Sequence, residues 1–153
     1  MLRTGVRYPP ADVLPHRGSM LLLDVIRDYG DDWLVAEVRV RKDSGFATPA
    51  GVPGWVGIEY MAQAVSAWSG IGQVQNGGKP SPGLLLGSRR YDVKRPVFAI
   101  GSHLRVRAQL VWRDADDLAA FDCGIEEDGV PVARAQLKVY RPRDLEAVLK
   151  EYA

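Results

Sequence analysis

The most apolar part of the chain is one uninterrupted segment, Val52 to Val74, which carries a single charged side chain, Glu59. A segment of this length and apolar content predicts a helix that is buried on most of its circumference. A Pro-Gly pair at positions 53 and 54 suits the start of a helix, because proline fixes φ and glycine keeps the backbone free. We therefore expect a central helix over about residues 54–74, with one carboxylate near its beginning.

The regions on both sides of this segment alternate between apolar and polar positions, with the period of two that is typical of half-buried strands. Asp128-Gly129 predicts a two-residue hairpin turn between the last two strands. The helix and the apolar face of the sheet each need a partner, so an antiparallel sheet wrapped around one buried helix satisfies both patterns. The sequence therefore predicts a single α+β domain over residues 1–153. The predicted strands are 20–26, 34–41, 84–93, 104–112, 118–125 and 130–140, with a turn over 94–101 and a short amphipathic helix over 142–152.

Composition and charge exclude several classes of protein. A formal net charge of +1 over 153 residues argues against binding to nucleic acid. One cysteine, Cys123, excludes an intramolecular disulfide and suits a reducing compartment. The N-terminus lacks the apolar core of a signal peptide. The carboxylate, amides and glycines of the central segment favour a buried helix over a membrane span. We expect a cytoplasmic protein. We also expect no metal site, because no His/Cys/Asp spacing assembles three ligands.

Three segments, in order and at similar gaps, resemble the 3-hydroxyacyl-acyl-carrier-protein dehydratases of the hotdog fold. They are LPHRGSMLLLDVI (Leu14 to Ile26), PGWVGIEYMAQA (Pro53 to Ala64) and GSRRYDVKRPVFAIGSHL (Gly87 to Leu104). The resemblance implies a hotdog fold, in which a six-stranded antiparallel sheet wraps around a central helix. It also implies a homodimer or higher oligomer whose sheets join edge to edge, with active sites at the interface, and a substrate carried by acyl carrier protein.

One position departs from the family pattern. The family's catalytic histidine lies fourteen residues before the helix acid, in a His-Phe-Pro-Gly motif, and that position is Gly45 here, followed by Phe46. The chain has two histidines, and His103 is expected on the surface of a strand. His16, in the first of the three segments, is therefore the candidate replacement. The pattern is similar to a divergent branch, the second dehydratase of aryl polyene pigment pathways.

Dehydration of a 3-hydroxyacyl thioester needs a base, an acid and an oxyanion donor. Imidazole suits the base because its pKa lies near working pH, and a desolvated carboxyl can serve as the acid. Free N–H groups at a helix start suit the thioester oxygen. We accordingly assign His16 as base, Glu59 as acid, the N–H of Gly54 and its neighbours as oxyanion donors, and Gln63 as an orienting hydrogen-bond partner. No cofactor is needed.

Each assignment has a structural alternative. His16 can instead brace the proline-rich turn around it, and Glu59 can favour the helix dipole, an effect of about 0.3–1 kcal/mol. Gln63 can be structural. The basic cluster formed by Arg89, Arg90, Lys94 and Arg95 suits docking of an acidic carrier protein, or it is a solvated strand end.

Two other functions remain open at this point. A hotdog thioesterase would use the helix carboxylate to activate water, and release of free thiol would distinguish it. A catalytically silent hotdog subunit would form a hetero-oligomer with an active dehydratase, and the missing histidine at Gly45 motivates this alternative.

Overall fold

The computed structural model describes residues 2–81 and 83–140, in which two helices and eight strands are present. A 3₁₀ turn, Gly54–Val56, leads directly into the longer helix. In chain order the elements are α1 (Pro10–Val13), β1 (Val25–Tyr29), β2 (Trp33–Arg39), β3 (Gly51–Pro53), α2 (Gly57–Gln75), β4 (Leu84–Val93), β5 (Val97–Ala99), β6 (His103–Arg113), β7 (Leu118–Glu127) and β8 (Val130–Tyr140).

Six strands form an antiparallel sheet in the order β1-β2-β6-β7-β8-β4, and α2 packs against its inner face. The apolar alternation of β6 and β7 puts one side of each strand on the helix. Tyr60, Met61 and Ile71 of α2 are fully buried there, together with Leu104 of β6 and Ile125 of β7. The predicted central helix and the surrounding antiparallel sheet are thereby confirmed.

The sheet ends at β1 on one side and at β4 on the other. β4 is ten residues long and pairs only with β8. Its outward positions include Leu86, which is 54% exposed, and Leu85 and Val93, which are also exposed. An edge strand of this length, with exposed apolar side chains and one side free of strand pairing, can accept another strand.

Two predicted elements differ in the structure. The strand predicted over Met20–Ile26 is wrong for most of its length: a 3₁₀ turn covers Gly18–Met20, and β1 begins only at Val25. The predicted turn over 94–101 contains a short strand, β5, which pairs with β3. Both strands of that pair are only three residues long, so they give no periodic signal. The helix predicted over 142–152 lies outside the described residues.

Within residues 2–81 and 83–140, no helix combines the length and the apolar character needed to cross a membrane.

Candidate active site

The polar face of α2 is covered by the segment that precedes β1. At helical spacing, Glu59, Gln63 and Gly70 lie on one face. Gly70 allows the backbone of Val13 to pass so closely that any Cβ would overlap it. Further toward the start of α2, the Gln63 side chain bonds the backbone of Met20 and that of Leu22, as described below. The segment therefore runs along the one face of the helix that the sheet does not cover.

His16 lies in this segment and is half-buried. Its Nδ1 atom is buried and has no hydrogen-bond partner in the described part of the chain. The turn that carries His16 is held by Arg17, whose guanidinium donates to the carbonyl oxygens of Leu14 at 2.7 Å and of His16 itself at 2.6 Å. The backbone of His16 is thus braced, while its buried ring nitrogen has no partner.

Three influences set the charge state of His16. Burial lowers the pKa of the imidazole below its ordinary value of 6.5, the Glu59 carboxylate opposes this by raising the pKa, and the Arg17 charge lowers it further. The net direction is downward, so the neutral imidazole is the prevailing form near pH 7. The influence of Glu59 indicates that the two side chains lie within electrostatic reach of one another.

Glu59 lies in the first turn of α2 and is half-buried. It is thus neither a freely solvated surface group nor sealed in the core. His16 comes from a segment more than forty positions away in the sequence, and the packing of that segment on α2 leaves the imidazole within electrostatic reach of the Glu59 carboxylate. The proposed acid and base are therefore contributed by one chain.

The structure explains why no histidine is found at position 45. A Cβ on Gly45 would overlap the carbonyl oxygen of Ser19 and come within 2.6 Å of Leu22 Cδ2. The segment that carries His16 fills the space into which a side chain at position 45 would project. The segment that carries His16 thus excludes a side chain at position 45.

The assignment of the Gly54 N–H as oxyanion donor needs correction. This N–H donates to the carbonyl oxygen of Pro96 at 2.8 Å, which continues the pairing of β3 with β5 beyond the end of both strands. A Cβ on Gly54 would also overlap the carbonyl oxygen of Arg95. Gly54 thus permits close approach of the protein's own backbone, and its N–H is not free for substrate. The next N–H of the turn, that of Trp55, donates to no described residue outside the helix.

Gln63 makes the backbone bonds that its structural alternative predicts. Its Oε1 accepts from the N–H of Leu22 at 2.9 Å, and its Nε2 donates to the carbonyl oxygen of Met20 at 2.7 Å. The side chain is 2% exposed. Gln63 therefore fastens the segment that carries His16 onto α2, and it supports the site through the backbone.

Two exposed aromatic side chains lie next to the start of the helix. Phe46 has a φ of 68°, an unusual value for a residue with a side chain, and its ring meets that of Trp55 edge-on with centroids 5.6 Å apart. Trp55 is 57% exposed. The aromatic pair places an apolar rim directly beside the first turn of the helix.

The predicted docking cluster is exposed but partly neutralised. Arg90 pairs with Asp92 at 3.4 Å and Arg95 with Glu127 at 3.4 Å. Arg89 and Lys94 form no ion pair with the described residues. His103 pairs with Glu37 on the outer face of the sheet, where Arg27 and Arg105 surround the same carboxylate, and is 46% exposed. His103 is therefore an exposed residue on the outer face of the sheet.

No group of three or more His, Cys, Asp or Glu side chains in the described ranges is spaced to hold a metal ion.

Comparisons with known proteins point in one direction. The model of the ApeP-like family, described as ApeP dehydratase, matches residues 8–150. The dehydratase heterocomplex ApeI:P from Xenorhabdus doucetiae superposes with a TM-score of 0.86 at 28% identity, covering 97% of this chain and 100% of that chain. No curated protein matches.

More distant structures share the fold alone. The Escherichia coli PaaI protein from the phenylacetic acid degradation operon gives a TM-score of 0.58 at 19% identity, covering 76% of this chain and 81% of that chain. A hypothetical thioesterase from Streptococcus pneumoniae, solved with coenzyme A, gives 0.57 at 17% identity, with 75% and 82% covered.

Proposed function

The chain belongs to the ApeP-like dehydratase family and is a dehydratase of the hotdog fold, and from that premise we propose that it removes water from a 3-hydroxyacyl thioester carried by acyl carrier protein, with His16 as base and Glu59 as acid. The observation that carries this proposal is the buried, unpartnered Nδ1 of His16 within electrostatic reach of Glu59. A buried polar atom without a partner is costly unless a ligand supplies the partner.

The proposed elimination uses one proton transfer at each residue. The His16 imidazole takes the proton from the carbon next to the thioester carbonyl, and the electron pair of the broken C–H bond forms the new carbon–carbon double bond. The bond from the neighbouring carbon to its hydroxyl breaks, and Glu59, in its assigned role as the acid, gives a proton to that hydroxyl so that it leaves as water. The lowered pKa of His16 keeps its imidazole in the neutral form that the first step requires.

Charge that develops on the thioester oxygen needs a donor, and Gly54 cannot supply it. The first turn still offers the N–H of Trp55, which lies one residue further along. Unpaired N–H groups at a helix start stabilise negative charge. We therefore assign the oxyanion role to the Trp55 N–H.

The proposed partners are an acyl carrier protein and a second hotdog chain. Arg89 and Lys94 are the members of the basic cluster free of ion pairs with described residues, and they suit an acidic carrier protein. The edge strand β4 suits a second hotdog chain, and the matched ApeI:P structure is itself a heterocomplex. Affinity for the carrier protein should weaken as salt is added, and an affinity that is insensitive to salt would place docking elsewhere. We expect the protein to act in the cytoplasm.

The experiment incubates a 3-hydroxyacyl carrier-protein thioester with the purified chain, alone and together with its hotdog partner, and follows the enoyl product. His16→Ala and Glu59→Gln should each lower turnover by about two to four orders of magnitude, and His103→Ala is the matched control. Release of free thiol would indicate the thioesterase instead. Full activity of the complex with His16→Ala would indicate that this chain is the silent subunit.

A further inference from the structure

Tyr91 connects the edge strand to the first turn of the central helix. Its hydroxyl donates to the carbonyl oxygen of Gly54 at 2.6 Å. The same hydroxyl lies so close to Gly57 that any Cβ there would overlap it, and Ile125 Cδ1 lies 3.0 Å from that Cβ position. The absence of a side chain at Gly57 therefore makes room for the tyrosine hydroxyl.

An irregularity in β4 accompanies this contact. The pairing of β4 with β8 shifts register between Arg89 and Asp92. Arg90 in this stretch has a φ of 59°, which residues with side chains seldom adopt. Bulges of this kind re-aim a side chain, and Tyr91 is half-buried between exposed neighbours. The local backbone is thus arranged so that Tyr91 reaches the helix start.

The carbonyl that Tyr91 bonds belongs to the same peptide unit as the Trp55 N–H. A peptide unit is planar, so its C=O and N–H point in opposite directions and turn together. The preceding N–H, that of Gly54, is fixed on Pro96. With the Gly54 carbonyl fixed on Tyr91, the direction of the Trp55 N–H is also fixed. A hydrogen bond to the carbonyl further polarises the unit and strengthens the N–H as a donor.

We propose that Tyr91 is a positioning residue for the dehydration, which holds the Gly54–Trp55 peptide so that the Trp55 N–H meets the thioester oxygen. This inference rests on the proposed function and adds a residue to it. Tyr91 contacts neither His16 nor Glu59 among the bonds of the structure, so it acts through the peptide.

The Tyr91 hydroxyl can make the same hydrogen bond at every pH at which the site would work. Burial raises the pKa of Tyr91 to about 12, so it remains a donor across the pH range in which His16 titrates. Loss of the hydroxyl should therefore lower kcat by the same factor at every pH and leave the shape of the pH profile unchanged.

The test compares Tyr91→Phe with Tyr29→Phe in whichever assembly shows dehydratase activity. Tyr29 is also buried, and its hydroxyl donates to the carbonyl oxygens of Arg3 and Val6, in the N-terminal segment. Tyr91→Phe should lower kcat about tenfold, leave KM nearly unchanged and keep the pH profile. Tyr29→Phe should leave kcat unchanged. Equal kcat in Tyr91→Phe and the wild type, or equal losses in both variants, would overturn the inference.

A double-mutant cycle sharpens the result. Gly57→Ala must displace the Tyr91 hydroxyl, so it should reproduce the loss of kcat, and the double variant should be no slower than either single variant. If the two losses of kcat instead multiply in the double variant, Gly57 and Tyr91 act separately and the inference is overturned.

An amide-exchange measurement separates this inference from the proposed function. In Tyr91→Phe, exchange at the Val56 and Gly57 amides should become faster, while exchange at Ile71, further along α2, stays the same. An inactive wild-type complex refutes the proposed function alone. Unchanged exchange at Val56 and Gly57 refutes the positioning role, whatever the activity.

Discussion

The side chain of Gln63 bonds the N–H of Leu22 at 2.9 Å and, through its other amide atom, the carbonyl oxygen of Met20. This pair of bonds replaces the strand pairing that the apolar run around Leu22 would otherwise favour. It also holds the segment that carries His16 against the helix that carries Glu59. One buried amide thereby determines both a local departure from regular structure and the assembly of the proposed dyad.

Replacing Gln63 with leucine should destabilise the fold and impair the site together. The change leaves the Leu22 N–H buried without a partner and removes the partner of the Met20 carbonyl, at a cost of about 2–4 kcal/mol in the free energy of unfolding. Urea unfolding measures this cost, and turnover should fall as the His16 segment loosens. Gln75→Leu is the matched control: Gln75 bonds the exposed backbone of Arg3, and its loss should cost under about 1 kcal/mol.

Restoring the family histidine with Gly45→His should not restore a family-type site. The new side chain would meet Ser19 and Leu22, so the variant should lose about 3 kcal/mol of stability and most of its activity. Thermal unfolding and turnover check this. Gly87→Ala adds a Cβ to open space and should be close to neutral. A stable, more active Gly45→His variant would contradict the account of the relocated histidine.

The pH dependence of His16 follows from the direction of its pKa shift. Because burial lowers the pKa below 6.5, the acidic limb of the kcat/KM profile should have its midpoint below pH 6.5. NMR titration of His16 in Glu59→Gln should give a still lower pKa, since Glu59 raises it. An unchanged or higher His16 pKa in that variant would show that the carboxylate does not act on the imidazole.

The same shift makes stability depend on pH. The unfolded chain takes up the His16 proton near pH 6.5, whereas the folded chain does so only at lower pH. Between those values the unfolded state binds more protons, so the contribution of His16 to stability is complete above about pH 6.5 and declines as the pH falls to the folded pKa. Urea unfolding of His16→Ala across this window should lack that decline.

Assembly through β4 is open to a direct test at Leu86. Leu86→Arg places a charge on the exposed edge and should weaken association with a hotdog partner about tenfold or more. Analytical ultracentrifugation measures the association. Val111→Arg changes an exposed residue of an interior strand, β6, and should leave association intact. If both variants assemble as the wild type does, β4 is not the interface.

Periodicity was sufficient to predict the central helix and the long strands, because their apolar positions alternate or repeat over ten residues or more. It failed at Met20–Ile26, where a side-chain amide takes the backbone groups that a strand would use. The oxyanion assignment at Gly54 also failed, because its N–H donates to the carbonyl oxygen of Pro96. Only the folded chain brings these two positions close. Short-range patterns carry no information about such tertiary backbone partners.

The proposed site was predictable to a different degree at each residue. Glu59 stood out as the single charge on an apolar helix, whereas His16 was selected by a resemblance and by the absence of a histidine at Gly45. Tyr91 gave no signal, because its role depends on a bulge and on the empty space at Gly57. Residues that act through another residue's backbone are the hardest to find from sequence.

The segment that covers the polar face of α2 also has a genetic consequence. In the proposed dyad His16 and Glu59 belong to the same chain, so two defective alleles, one lacking each side chain, should not complement one another when their subunits mix. An oligomer formed from them would contain no subunit with both groups. A hotdog partner then does not need to supply either side chain. Its residues at the shared interface can therefore differ from those of this chain.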